Sequence, residues 1–246
     1  MKNIVIFSGA GLSKESGIPT FRDSKDGLWH NFKVEDVADP EGWKKDKATV
    51  LDFYKHRWDN IKSCEPNEAH KAIGNLEKYF NVINITQNID DLLERAGSLN
   101  VNHLHGSINS RKCEWHKSVC NDASFTCEYR AYHAAPVKLG EKCPLCGGQL
   151  RPDVVWFGEA VDMRGAYFEN LARSTDVFIG IGTSAQVHPA AGLLFTFRVA
   201  KEKYFIDLEP PLRLQTFTKL KGTASEHMPK LAIDLIERFA EKEISA

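Results

Sequence analysis

Asn3-Ile4-Val5-Ile6-Phe7-Ser8-Gly9-Ala10-Gly11 carries the reading of the fold. Its apolar, β-branched run has no polar alternation, which marks a strand covered on both faces, as in parallel sheets. The glycines then give a turn at which a backbone can come close to a pyrophosphate or to another chain segment. Three further stretches match the strand part of the pattern: Tyr79 to Thr86, Thr175 to Gly182, and Lys203 to Leu208. Between the first two lies a helical stripe, Leu51, Tyr54, Trp58 and Ile61, followed after Pro66-Asn67 by a second helix with His70, Ile73 and Leu76. Pro229 to Ala240 is amphipathic, with Leu231, Ile233, Leu235 and Phe239 among charges. Strands alternating with helices predict an α/β, doubly wound, Rossmann-like parallel sheet, whose ligands gather at the carboxyl ends of the strands.

Composition limits the function classes. With 246 residues the chain is long enough for one large domain or a domain and a half. Its 32 basic and 33 acidic side chains leave a net charge of −1, so no basic field holds a polyanion. Hydrophobic residues at 42% and charged residues at 26% exclude a disordered or fibrous chain. No apolar run approaches the roughly 18 residues of a membrane span, and the N-terminus lacks a signal-peptide core. The expectation is a cytoplasmic protein that engages neither nucleic acid nor membrane. No Gly-x-x-x-x-Gly-Lys-[Ser/Thr] occurs, which disfavours a P-loop enzyme.

Of six cysteines only Cys64 lies outside the stretch from Cys113 to Cys146. Thiols crowded among Gly and Pro in a reducing compartment point to a tetrahedral zinc more than to disulfides. Cys143-Pro144-Leu145-Cys146-Gly147-Gly148 is a zinc knuckle, and Cys113 supplies a third ligand. The fourth is Cys127, His116 or Cys120. A hairpin turning near Cys120 and Asn121 sets Cys113 opposite Cys127 and favours that choice, giving a structural zinc on Cys113, Cys127, Cys143 and Cys146.

Five blocks in register resemble one family. Gly9-Ala10-Gly11-Leu12-Ser13 with Gly17-Ile18-Pro19-Thr20-Phe21-Arg22, then Thr86-Gln87-Asn88-Ile89-Asp90, His103-Leu104-His105-Gly106-Ser107, Leu150 to Glu159, and Gly182-Thr183-Ser184 follow the motif order of the sirtuins. These are NAD-dependent protein lysine deacylases, and the likeness runs from Ile4 to about Ala224. The resemblance implies cleavage of the nicotinamide–ribose bond of NAD and transfer of the acyl group from lysine to ADP-ribose, through an alkylimidate. It implies that His105 is the general base on a ribose hydroxyl, a task suited to imidazole, and that Asn88 and Asp90 position the nicotinamide and its ribose. Phe21 would shield the reactive centre and Arg22 contact phosphates. Gly9, Ala10, Gly11, Ser13, Thr20, Gln87, Gly182, Thr183, Ser184 and Ala224 complete the NAD site. Val155, Phe157 and Gly158 would belong to an extended strand pairing with the acyl-lysine peptide.

Considered alone, each residue has a plainer reading. A histidine before Gly-Ser is more often a structural hydrogen-bonder, as expected here for His70 and His103, and Asn88 and Asp90 suit a helix cap. Five ordered blocks reverse that balance. The chain departs from the pattern at His116, which occupies the place where the family has a cysteine, and at Asp207, where many sirtuins carry Asn near the adenosine ribose. A carboxylate still accepts ribose hydroxyls.

Acyl preference hangs on Tyr54 and Arg57, three apart and so on one helix face. Arg57 extends the apolar Val50/Phe53 row, where a guanidinium needs an anionic partner. Tyr-x-x-Arg here resembles the class III sirtuins, which remove succinyl and malonyl groups; ordinary deacetylation is the alternative. Between Phe21-Arg22 and Gly27-Leu28-Trp29 the chain has four residues, Asp23 to Asp26, one more than its nearest relatives in that pattern. The expected organisation is an NAD-binding part of residues 1–29, 76–107 and 154–246, and a small part of residues 30–75 and 108–153 holding the helical and zinc inserts. The expected partners are acyl-lysine proteins or peptides, met by a monomeric chain. The competing classes are an NAD hydrolase or ADP-ribosyltransferase and a non-catalytic zinc-containing nucleotide-binding module.

Overall fold

The structure, a computed structural model, describes residues 1–20, 32–118 and 126–240. In chain order the elements are β1 (Asn3–Ser8), α1 (Gly11–Lys14), α2 (Val34–Val37), α3 (Pro40–Lys45), α4 (Lys47–Ser63), α5 (Glu68–Leu76), β2 (Asn81–Thr86), α6 (Leu92–Arg95), β3 (Val101–His103), β4 (Gly106–Cys113), β5 (Arg130–Tyr132) and β6 (Leu150–Val154). There follow α7 (Gly165–Ser174), β7 (Val177–Ile181), α8 (Leu193–Thr196), β8 (Glu202–Asp207), β9 (Thr218–Lys221) and α9 (Ala224–Phe239).

Six strands form one parallel sheet in the order β3-β2-β1-β7-β8-β9. β1 lies at the centre, paired from Asn3↔Asn81 to Ser8↔Thr86 on one side and from Ile4↔Val177 to Ser8↔Ile181 on the other. Because side chains alternate across a strand, Ile4 and Ile6 enter the core under α5 and α9, while Val5 and Phe7 enter the core with α7 and α8. All four are fully buried, each worth about 1.5–3 kcal/mol of transfer free energy. This explains why the run shows no alternation: both faces are covered. The strand order reverses between β1 and β7, the switch point where ligands of such sheets bind.

A second, antiparallel sheet, β5-β4-β6, joins α2, α3 and α4 around a separate core that includes Val50, Phe53, Tyr54, Trp156 and the buried cysteines. α4 starts at Asp46, whose carboxylate accepts the Thr49 N–H, and α5 at Asn67, which forms a reciprocal capping box with His70. Among the described residues, no helix is long and apolar enough to cross a membrane.

The sequence expectations for β2, the edge strands and α9 differ from the structure. Tyr79 and Phe80 belong to the turn closing α5, their N–H groups bonded to Leu76 O, so β2 begins at Asn81. β3 and β9 carry no apolar run, being short edge strands that need only one partner. α9 begins at Ala224 on a Thr223 cap, with Pro229 inside it, where the missing N–H removes only the bond to the Ser225 carbonyl. Its buried stripe is Met228, Leu231, Ala232 and Leu235, whereas Ile233 points to solvent.

At the switch point two glycine turns touch. Gly9 N–H donates to Ile181 O at 3.1 Å and Gly11 N–H to Gly182 O at 2.8 Å. A Cβ on Gly11 would sit 2.8 Å from the Gly182 Cα and 2.9 Å from its oxygen, both backbone atoms. Gly11→Ala is therefore expected to cost about 2 kcal/mol or more and to lower the thermal midpoint by several degrees. A melt followed by circular dichroism checks this; an unshifted midpoint contradicts the packing.

Candidate active site

Three strand ends and one crossover supply the site at the carboxyl edge of the large sheet. From β1 come Gly9, Ala10 at the head of α1, Gly11 and the fully buried Ser13. From β2 come Gln87, Asn88 and Asp90. Gln87 Nε2 donates to Thr183 Oγ1 at 2.9 Å and to Ser8 O at 3.3 Å, tying the β1, β2 and β7 ends together. Thr183 is buried and Ser184 half-buried behind Gly182. Ala224 opens α9, and its neighbour's Ser225 N–H reaches Glu15 Oε2 at 2.9 Å, so α9 abuts the segment after α1. Thr20 is half-buried at the end of the first described segment. Phe21, Arg22 and the Asp23 to Asp26 stretch lie outside the described residues, as does Cys120.

Ser13 is the hub of the interior. Asn88 Nδ2 donates to Ser13 Oγ at 3.1 Å and to Gly9 O at 3.2 Å, and Ser13 Oγ donates to Asp90 Oδ2 at 3.1 Å. Asp90 Oδ1 also accepts the Leu92 N–H at 3.2 Å, an Asx turn just ahead of α6, whose N-cap position is Asp91. Burial pushes the Asp90 carboxyl above its ordinary range, against the opposing hydrogen bonds from Leu92 and Ser13. His70 sits 3.4 Å from Ser13 Oγ, its other ring nitrogen accepting the Asn67 N–H. Fully buried, it is pushed down to about 4 and stays neutral. The link between His70 and Ser13 was not readable from the sequence, since they lie on different elements.

The two histidines of the Gly106 motif have opposite surroundings. His103 is held at both nitrogens, 2.8 Å from Asn88 O and 2.8 Å from Glu94 Oε1. Burial lowers its affinity for a proton, but Glu94 first, then Asn88 and Asp90, outweigh that and hold it above the ordinary value. His105 bonds a backbone carbonyl through Nδ1, at 3.0 Å from Gln87 O. A carbonyl only accepts, so Nδ1 carries the proton and Nε2 is left as the basic nitrogen. Burial pushes this imidazole below its ordinary value, with the Gln87 carbonyl opposing.

Tyr54 and Arg57 share the inner face of α4. Tyr54 is buried, and its hydroxyl accepts the Trp156 Nε1–H at 2.9 Å. Burial pushes the phenol up to about 12, against Arg57 and the indole bond. The Arg57 guanidinium lies 5.9 Å from the Phe53 ring centre, and burial lowers its pKa while Tyr54 and Asp90 oppose the shift.

The segment expected to be extended over Val155 to Glu159 behaves differently. β6 ends at Val154; Val155 N–H pairs with His105 O at 2.9 Å and Phe157 N–H with Ala38 O at 3.0 Å, after which Gly158, at φ +82°, turns the chain. The cause is Glu159, whose carboxylate folds back to accept the Trp156 N–H at 2.9 Å and both ends of Arg151, at 2.6 and 2.9 Å. Arg151 also donates to Val154 O at 2.7 Å and stacks 3.3 Å from the centre of the Trp156 ring. Lys112, on the adjacent strand, is buried beside Asp153 and Glu159; burial and Arg151 push its ammonium down to about 8. None of this network was singled out from the sequence. Its only sequence signal is an arginine and a glutamate bracketing an apolar stretch.

The sulfurs of Cys113, Cys127, Cys143 and Cys146 lie within 4.8 Å of one another, with Cys113 to Cys146 at 3.4 Å and Cys127 to Cys143 at 3.6 Å. A tetrahedral zinc with bonds of about 2.3 Å needs sulfurs about 3.8 Å apart, so four thiolates here fit one structural zinc with no open position. Burial works against the Cys143 thiolate, but the N–H groups of Leu145 and Cys146 outweigh it and hold that thiol below its ordinary value. His116 is turned to Ser118, its Nδ1 within 2.8 Å of the hydroxyl and 3.1 Å of the N–H. Native mass spectrometry is expected to count one zinc per chain, lost in Cys127→Ser and kept in His116→Ala. Zinc loss from the histidine variant alone would reverse the ligand set.

The Sir2 family model matches residues 9–189. An NAD-dependent protein deacylase of Pyrococcus furiosus is 41% identical over 94% of this chain and 92% of its own length. One from Vibrio cholerae is 40% identical over 100% and 98%. Among solved structures, a Sir2 homolog–NAD complex superposes with a TM-score of 0.82 at 36% identity, covering 96% of this chain and 90% of that one. A Sir2 protein bound to a myristoylated histone peptide gives 0.68 at 29% identity, covering 98% and 93%. The chain belongs to the Sir2 family.

Proposed function

We propose that the protein is an NAD-dependent protein lysine deacylase that prefers acyl groups ending in a carboxylate, with acyl-lysine proteins or peptides as its partners. The observation that supports catalysis is the fixed tautomer of His105: with Nδ1–H committed to Gln87 O, Nε2 is free to take a proton from a ribose hydroxyl. The bound NAD supplies the electrophilic ribose carbon when nicotinamide leaves. Asn88 and Asp90, locked through Ser13, hold the nicotinamide and its ribose, Phe21 shields the reactive centre, Arg22 contacts phosphates, and Gly9, Gly11, Gly182, Thr183 and Ser184 cradle the phosphates. The backbone-to-backbone approach of Gly11 and Gly182, which brings the β1 and β7 ends together, supports that reading. On this reading residues 30–75 and 108–153 form the small lobe against which the peptide lies.

Carboxylate preference is supported by Tyr54 and Arg57, a buried hydroxyl and a guanidinium on one helix face. Both stay in their hydrogen-donating forms at neutral pH.

His105→Ala is expected to lower kcat by about 10²–10⁴ while NAD still binds, read by nicotinamide release and by calorimetry. The base form of His105 is the neutral one, and its pKa is lowered. Deacylation therefore holds as pH falls to about 6.5 and is lost only below it, the acid limb of kcat/KM lying beneath the ordinary imidazole value. A limb at or above that value contradicts the assignment. Arg57→Met is expected to lower the succinyl-to-acetyl ratio of kcat/KM by at least about tenfold, mainly through KM for the succinyl peptide. An unaltered ratio removes the acidic pocket. Nicotinamide release without any acylated peptide would favour an NAD hydrolase instead.

A further inference from the structure

We propose that Trp156 is a positioning residue for acyl selectivity: its indole N–H occupies the lone pair of the Tyr54 hydroxyl, which turns that hydroxyl's proton towards the acyl carboxylate. The inference rests on the carboxylate-preferring reading of Tyr54 and Arg57 and adds the group that aims one of them.

A phenol has one proton to give and two lone pairs. Trp156 Nε1 can only donate, so the 2.9 Å contact makes Tyr54 Oη the acceptor and leaves its own proton to find another partner. Among the described residues no acceptor lies within hydrogen-bond reach of that proton, although the side chain is only 5% exposed. A buried donor beside a guanidinium matches a ligand that is both an acceptor and an anion. Without the indole, the hydroxyl could rotate and present either a proton or a lone pair to an incoming carboxylate, and the second orientation repels it.

The aim is only as good as the indole's own fixity, and the surrounding network supplies it. Arg151 lies against one side of the ring at 3.3 Å and is itself pinned by both oxygens of Glu159, while the same carboxylate holds the Trp156 backbone N–H. Trp43 packs at 5.6 Å from the ring. Trp156, Arg151 and Glu159 are each almost fully buried, so the clamp is not loosened by solvent. The turn at Gly158 and the aim of Tyr54 are thus set by one carboxylate.

The test compares kcat/KM for succinyl and acetyl peptides in wild type, Trp156→Phe, Tyr54→Phe and the double variant. The ratio cancels any loss common to both acyl groups. Trp156→Phe is expected to lower the succinyl-to-acetyl ratio about tenfold, through KM for the succinyl peptide, and to have no further effect on the ratio when Tyr54 is already Phe. Replacing Trp156 by benzothienylalanine, which keeps the bicyclic ring and removes only the N–H, is expected to give the same fall. Retention of the ratio in that variant, or additive losses in the double variant, overturns the proposal while leaving the carboxylate preference standing. Equal succinyl and acetyl turnover in wild type overturns both.

Discussion

Everything in the cleft depends on two glycine turns being able to occupy neighbouring space. Gly11 and Gly182 meet backbone to backbone, their N–H and carbonyl joined at 2.8 Å, and a single Cβ on either would force the β1 and β7 ends apart. Parallel strands deliver their carboxyl ends to one edge, and the reversal of strand order leaves a gap beyond β1 and β7. The glycines let that gap close to the width at which Gln87 spans from the end of β2 to Thr183.

From that constraint the rest of the site follows by short steps. Gln87 bridges with its side chain and, through its carbonyl, sets the tautomer of His105. Asn88 reaches back to the Gly9 carbonyl and meets Asp90 at Ser13. The same short stretch after β2 therefore ties the strand ends together and orients the His105 ring. His103 and His105, two residues apart, end with opposite proton affinities because one is held by a carboxylate and the other only by a backbone carbonyl.

On the far side the antiparallel sheet is organised by charge buried in pairs. Arg151 and Glu159 neutralise each other in a bidentate contact, and breaking such a pair costs far more than its net contribution to stability. Its position ties three things to one network: the turn after β6, the indole of Trp156 and, through it, Tyr54 on α4. Lys112 connects this network to the strand that ends in Cys113, so the cysteine cluster and α4 share a buried frame.

The central strands and the helices α4, α5 and α9 were legible because burial on two faces or one face leaves a direct imprint on residue type. Likewise the Gly turns, the cysteine knuckle and the ordered motifs are local in the chain, and local chemistry can be read from local sequence. The edge strands left no imprint, since one hydrogen-bonded partner asks little of their side chains, and the stretch after β6 read as extended because its turn is made by a carboxylate eight residues from its arginine. The sequence by itself determined which residues can bind, cap or titrate. Only the tertiary structure decided which nitrogen of His105 is basic, that His70 meets Ser13, and that the Trp156 indole donates to Tyr54. Each of these is fixed by a partner distant in the chain, and a hydrogen bond has no direction until both of its ends are in place.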